Sequence, residues 1–151
     1  MRVLSLALLL LALGCTSFEV ADELETVTAT RMPNLAIPDD SDVGVTDIAG
    51  IDRSCTIASA ELDIVVRHPF RGDLFIELTS PGGTLRILQR IDDNDDNANL
   101  VGTYPTTLVP VQPLDSLAGE EGNGIWTLKV SDLGEGDVGT LESWTIRLGC
   151  L

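Results

Sequence analysis

Along most of the chain, apolar and polar residues alternate one by one. In residues 56–67, Ala58, Ala60, Leu62, Ile64 and Val66 fall on one face, and Ser59, Glu61, Asp63 and Arg67 on the other. A period of two with one apolar face predicts a half-buried strand. The same period marks residues 73–79, with Leu74, Ile76 and Leu78 inward. Ser80-Pro81-Gly82-Gly83 is a tight turn, and residues 84–89 return as its hairpin partner. Residues 43–51, interrupted by Gly44 and Gly50, predict a short strand. Residues 101–111 are extended and broken by proline, so they read as a loop or an edge strand. Residues 114–119 leave room for a helical turn. Near the C-terminus, Trp126, Leu128 and Val130 alternate with polar residues, and so do Trp144, Ile146 and Leu148. Between them lies an acidic glycine turn, Leu133-Gly134-Glu135-Gly136-Asp137-Val138-Gly139. The pattern predicts a hairpin whose two tryptophans anchor one wall of the core. Short strands with regular turns and no convincing long helix predict an all-β sandwich or barrel.

The N-terminus departs from this alternation. Arg2 precedes an apolar run over residues 3–13, too short to span a bilayer comfortably, which closes on Leu13-Gly14-Cys15. This resembles a bacterial lipoprotein signal, residues 1–14, with cleavage before a lipidated Cys15. Thr16 follows, not aspartate, which by the same resemblance favours the outer membrane; an ordinary secretory signal and a secreted product are the alternative. Residues 15–36, with Glu19, Asp22, Glu23 and Glu25, predict an acidic solvated tether. A short helix around residues 20–27 is a further option. The globular domain is expected over residues 37–151.

Charge and cysteines narrow the function. The formal net charge is −15 over 151 residues, which excludes nucleic acid as a partner, since phosphate binding needs clustered lysine and arginine. It fits cation binding and a life outside the cytoplasm. There are three cysteines. With Cys15 lipidated, Cys55 and Cys150 remain, and an even pair in an exported domain is most simply a disulfide; two free thiols are the alternative.

Several motifs together resemble the P domain, or P/Homo B domain, of proprotein convertases, the kexin- and furin-like subtilases. They are Ile37-Pro38-Asp39, His68-Pro69-Phe70-Arg71-Gly72-Asp73-Leu74, Leu78-Thr79-Ser80-Pro81-Gly82-Gly83-Thr84, Asn123-Gly124-Ile125-Trp126-Thr127-Leu128, Val130-Ser131-Asp132, Gly136-Asp137-Val138-Gly139 and Leu141-Glu142-Ser143-Trp144. The resemblance implies a jelly roll of about eight strands. It also implies a non-catalytic module that stabilises or regulates a secreted subtilisin-like protease or another surface partner. Serine endopeptidase activity attaches to the family through its enzymes. A serine triad is not legible here: His68 is the one histidine, it lies in the family motif, and no Gly-x-Ser-x-Gly elbow occurs. Zinc is disfavoured, because one histidine and two mutually paired cysteines do not make four ligands.

Calcium is the ligand to expect. It takes six to eight oxygens in a flexible shell. The resemblance supports it, with Asp39, Asp40, Asp73, Asp132 and Asp137 as the candidate ligands at strand ends and turns; aspartates that only bond local backbone are the alternative. A second acidic cluster, Asp92-Asp93-Asn94-Asp95-Asp96-Asn97, lacks the glycine and glutamate of an EF-hand and reads as a solvated loop. Arg71-Gly72-Asp73 belongs to the family motif rather than to an integrin ligand. A different class of function, a jelly-roll adhesin or carbohydrate-binding module, stays open, since the fold hosts many binding activities.

Overall fold

The structure is a computed structural model, and it describes residues 24–151. The lipoprotein signal and Cys15 lie outside the described residues. Nine strands run β1 (Glu25–Arg31), β2 (Leu35–Ile37), β3 (Ser41–Ile51), β4 (Ile57–Arg67), β5 (Leu74–Thr79), β6 (Leu85–Gln89), β7 (Leu100–Tyr104), β8 (Gly124–Asp132) and β9 (Gly139–Cys150). Short 3₁₀ turns sit at Arg71–Asp73 and Leu114–Leu117. One sheet has the order β1-β9-β4-β7, with β2 also pairing β9. The other has the order β3-β8-β5-β6. Every pairing is antiparallel. The two sheets pack as a sandwich, so the all-β expectation holds.

The alternation set the buried positions. Leu62, Ile64 and Val66 of β4, Leu74, Ile76 and Leu78 of β5, and the apolar positions of β8 and β9 are all in one core. The ladders carry four register shifts, and one of them changes an expected face. A bulge between Ile57 and Ser59 turns Ile57 inward and leaves Ala58 half-buried. An extra residue on one strand reverses the faces before it.

The tryptophan strands do not form the expected hairpin. β8 pairs with β3 and β5, whereas β9 pairs with β4, β1 and β2. The acidic turn over residues 133–138 therefore carries the chain from one sheet to the other. Trp126 and Trp144 anchor opposite walls, not one. Alternation reveals which face of a strand is buried, but not which strand lies beside it. Each indole donates its N–H: Trp126 Nε1 to the Gly122 carbonyl at 3.0 Å, and Trp144 Nε1 to Asp47 Oδ2 at 2.8 Å.

The tether also ends earlier than expected. Residues 25–31 pair with β9 from Glu25 opposite Cys150 to Arg31 opposite Trp144, and residues 35–37 continue beside Leu141–Gly139. Val27 and Ala29 pack against the core. Two small, half-buried side chains make a weak alternation, so the stretch passes for linker in sequence. Residues 101–111 resolve into β7, an edge strand, followed by loop, and 114–119 hold a 3₁₀ turn. Cys55 and Cys150 are bonded, with Cα atoms 5.0 Å apart and a sequence separation of 95. In the chain-entropy picture, closing so long a loop contributes about 4–5 kcal/mol.

Candidate functional site: the carboxylate end of the sandwich

The strands bring several turns of the expected motifs to one end. Leu74 and Ser41 both lie opposite Asp132, and Ile37 lies opposite Gly139. The 38–40 turn, the 71–73 turn and the 133–138 turn therefore meet there. Backbone bonds join them: Leu133 N–H to the Asp73 carbonyl at 3.0 Å, and Asp40 N–H to the Gly134 carbonyl at 3.2 Å. Asp39 Oδ1 accepts from Gly136 N–H at 2.9 Å. Any side chain at Gly134 would have to displace that of Asp73. A Cβ there would lie 2.4 Å from the Asp73 carboxyl carbon.

At the bottom of this end sits a buried pair. His68 Nε2 lies 2.9 Å from Asp132 Oδ2, with side-chain exposures of 0% and 1%. His68 Nδ1 lies 2.7 Å from the Phe70 carbonyl oxygen. The second Asp132 oxygen accepts from Gly134 N–H at 3.1 Å. A buried carboxylate is tolerated only when paired and hydrogen-bonded, and here both of its oxygens are. His68 thus links the 68–70 corner to the last residue of β8. Both of its ring nitrogens are engaged inside the fold, Nδ1 also accepting from Phe70 N–H at 3.2 Å, and neither bonds to a hydroxyl.

Asp73 is loaded electrostatically. Burial pushes its carboxyl above the usual range, and Asp132 pushes it further. His68 opposes this, while Asp137 and Asp93 add to it. Like charges crowded together disfavour ionisation. The structure therefore places Asp132, Asp137 and Asp93 within electrostatic reach of Asp73, with the Asp39–Asp40 turn fastened to the same loop. Their hard oxygens are of the kind calcium takes. As arranged, they do not converge into a shell: among the described residues, no three His, Cys, Asp or Glu side chains come close enough to hold a metal ion.

The second acidic cluster is less free than a solvated loop. Asp92 N–H donates to the Gly72 carbonyl at 2.9 Å, and Arg71 N–H donates to the Asn97 carbonyl at 2.8 Å. Arg71 Nε reaches Asp95 Oδ2 at 2.6 Å. That guanidinium and the Asn97 amide hold the Asp95 carboxyl below its usual range. A Cβ on Gly72 would fall 2.4 Å from the Asp92 carbonyl. The loop is laid across the Arg71-Gly72-Asp73 turn, whose glycine is buried; the tripeptide is not presented as a ligand.

One polar residue escaped the sequence reading. Asp47 lies on the inward face of β3 with Val45, Ala49 and Ile51. It accepts from Trp144 Nε1 and from Arg31 Nε at 3.2 Å. Burial pushes its carboxyl up, but the Arg31 and Trp144 bonds more than offset this and hold it below the ordinary range. It ties an edge strand of one sheet to the other. The signal was present as an acid at an apolar position of an alternating strand.

Comparisons with known proteins agree with this architecture. The proprotein convertase P-domain profile matches residues 57–148. The chain is 34% identical over 113 residues to a transglutaminase-activating metalloprotease of Streptomyces mobaraensis, covering 74% of this chain and 14% of that protein. It is 31% identical over 116 residues to a calcium-dependent protease of Nostoc sp., covering 72% of this chain and 17% of that one. The chain thus spans a small fraction of each relative. The Aeromonas sobria serine protease, solved in complex with its chaperone, superposes with a TM-score of 0.61 at 20% identity, over 84% of this chain and 27% of that chain; at that identity the likeness concerns the fold. The protein is a module of the kind that accompanies bacterial proteases, a β-sandwich carrying a buried His–Asp pair beneath crowded turns. It belongs to the proprotein convertase P-domain family.

Proposed function

We propose that this protein is a non-catalytic P-domain module, lipid-anchored through Cys15 at the bacterial cell envelope, that serves as an accessory or binding module for a secreted protease or another surface protein. The observation that carries the non-catalytic reading is the engagement of His68. The chain's one histidine is buried, with its two ring nitrogens on Asp132 and Phe70. The family match and the protease relatives support the partner class. A carbohydrate-binding role gains nothing from the tryptophans. Both are at most 1% exposed and offer no stacking platform.

Calcium is the cation this reading assigns to the carboxylate end. Asp39, Asp40, Asp73 and Asp137 are the side chains available to it, with Asp132 beneath them. Its support is the electrostatic load on Asp73, together with two relatives, from Nostoc sp. and Trichormus variabilis, named as calcium-dependent proteases. A bound divalent cation would relieve the repulsion that raises Asp73, and so order the turns that carry these residues.

The test is affinity capture with residues 24–151 as bait, in host envelope extract containing calcium and again in chelator. Recovery of a protease in calcium but not in chelator is the expected result. Recovery of glycan alone, or hydrolysis of peptide substrates by the bait itself with loss of that activity in His68→Ala, overturns the proposal.

A further inference from the structure

We infer that the disulfide end of the sandwich faces the lipid surface and that the carboxylate end points away from it. This inference rests on the proposed lipidation of Cys15. β1 starts at Glu25, opposite Cys150, and runs toward Arg31, opposite Trp144; β2 continues in the same direction to Ile37, opposite Gly139. The chain therefore enters the domain at the disulfide end and climbs the edge of one sheet to the carboxylate end. β9 has 12 residues, which at ~3.3 Å per residue makes the sandwich about 36 Å tall.

The connection from Cys15 sets the limit. Residues 16–24, even fully extended at ~3.3–3.6 Å per residue, reach about 30 Å. With the carboxylate end on the membrane, Leu24 would stand about 36 Å above it, beyond that reach. With the disulfide end on the membrane, the connection spans the gap with length to spare.

Surface charge points the same way. Exposed apolar side chains occur at both ends, Leu24, Ile125 and Leu151 at the disulfide end and Val43, Phe70 and Val138 at the carboxylate end, so charge is what separates the two. Two of the carboxylates at the disulfide end are engaged, Glu25 with Arg53 and Glu121 with the backbone N–H of Cys55 and Asn123, while Asp52 is exposed. The opposite end gathers Asp39, Asp40, Asp73, Asp93, Glu135 and Asp137, and its nearby guanidinium, Arg71, is bonded to Asp95. Anionic headgroups repel such a surface within a Debye length, ~8 Å at physiological salt. The lipid surface is thus the partner of the disulfide end, and the carboxylate end is the one offered to proteins beyond the membrane.

The experiment uses the full-length lipidated protein in vesicles of phosphatidylethanolamine and phosphatidylglycerol that carry a headgroup spin label. One fluorophore is placed at Asp52→Cys, at the disulfide end, or at Glu135→Cys, in the acidic turn. Both positions are exposed, and a mass measurement showing the intact Cys55–Cys150 bond qualifies each labelled protein. Loss of fluorescence at position 52 with none at position 135 is expected. Vesicle-bound protein with equal quenching at both positions, or more at 135, overturns the orientation while leaving the anchor intact. Protein that fails to float with the vesicles overturns the anchor, and the orientation with it.

Discussion

The two ends of the sandwich are built from the same strands and held by opposite means. At one end Cys55 and Cys150 are covalently joined, and Glu121 caps the neighbouring backbone. At the other, hydrogen bonds hold three turns together against the mutual repulsion of their aspartates. The bond at the covalent end does not depend on the charge around it. The carboxylate end stores unfavourable charge that a cation, a proton or a substitution can relieve. Stability at one end and responsiveness at the other can therefore be varied separately.

The largest expected effect lies at the covalent end. Replacing both cysteines, Cys55→Ala with Cys150→Ala, should lower unfolding free energy by about 4–5 kcal/mol. Urea denaturation of residues 24–151 measures it; an unchanged midpoint would rule the bond out as a major support. Next comes the base of the carboxylate end. His68→Ala leaves the buried Asp132 without its side-chain partner and should cost about 3 kcal/mol or more. A loss in urea midpoint no larger than that of an exposed substitution such as Glu135→Ala would show that the pair contributes little.

Asp47 and Asp73 make a sharper comparison, because their shifts have opposite signs. The folded-state carboxyl of Asp47 is depressed. Its stabilisation is present above the unfolded value, ~4, and fades as pH falls through the lower folded value. Asp47→Asn should therefore lower the thermal midpoint by several degrees at pH 7 (about 1 kcal/mol) and by progressively less below pH ~4. An equal loss at both pH values would mean that the charge is not what matters. Asp73 is raised, so its ionised form is disfavoured by folding and opposes stability above its folded value. Asp73→Asn should raise the midpoint slightly at pH 7 in chelator, the smallest of these effects. In the wild type, calcium should raise the midpoint as well, and Asp73→Asn should blunt that rise. A wild-type midpoint that ignores both calcium and chelator would remove the cation from the account of this end.

The corrections to the sequence reading share one cause. β4, β5, β8 and β9 were legible because Leu62, Ile64, Val66, Trp126 and Trp144 repeat at period two beside clear turn residues. β1 was not, because Val27 and Ala29 are small and its remaining side chains are exposed. The pairing of the tryptophan strands was not legible either. A short glycine turn between two alternating runs fits a hairpin and a sheet-to-sheet crossing equally well, and the choice depends on which other strands are available to pair. The aspartates of the carboxylate end were visible as turn residues within motifs. That Asp132 is buried on His68, while Asp73 carries the electrostatic load, depends on contacts between residues up to 64 apart in the chain.

By itself the sequence determined the buried apolar faces of β4, β5, β8 and β9, the β class, the partnership of Cys55 with Cys150 and the P-domain resemblance. Each of these follows from local periodicity, from residue chemistry or from motif order. Only the tertiary structure decided that the acidic turn crosses between sheets, that β1 climbs from the disulfide end, and that Asp47, Asp73 and Asp132 meet three different fates. Burial of one face is a property a strand carries in its own residues. Neighbours, and the fields they impose on a carboxylate, come from strands remote in the chain and exist only once the two sheets have closed on each other.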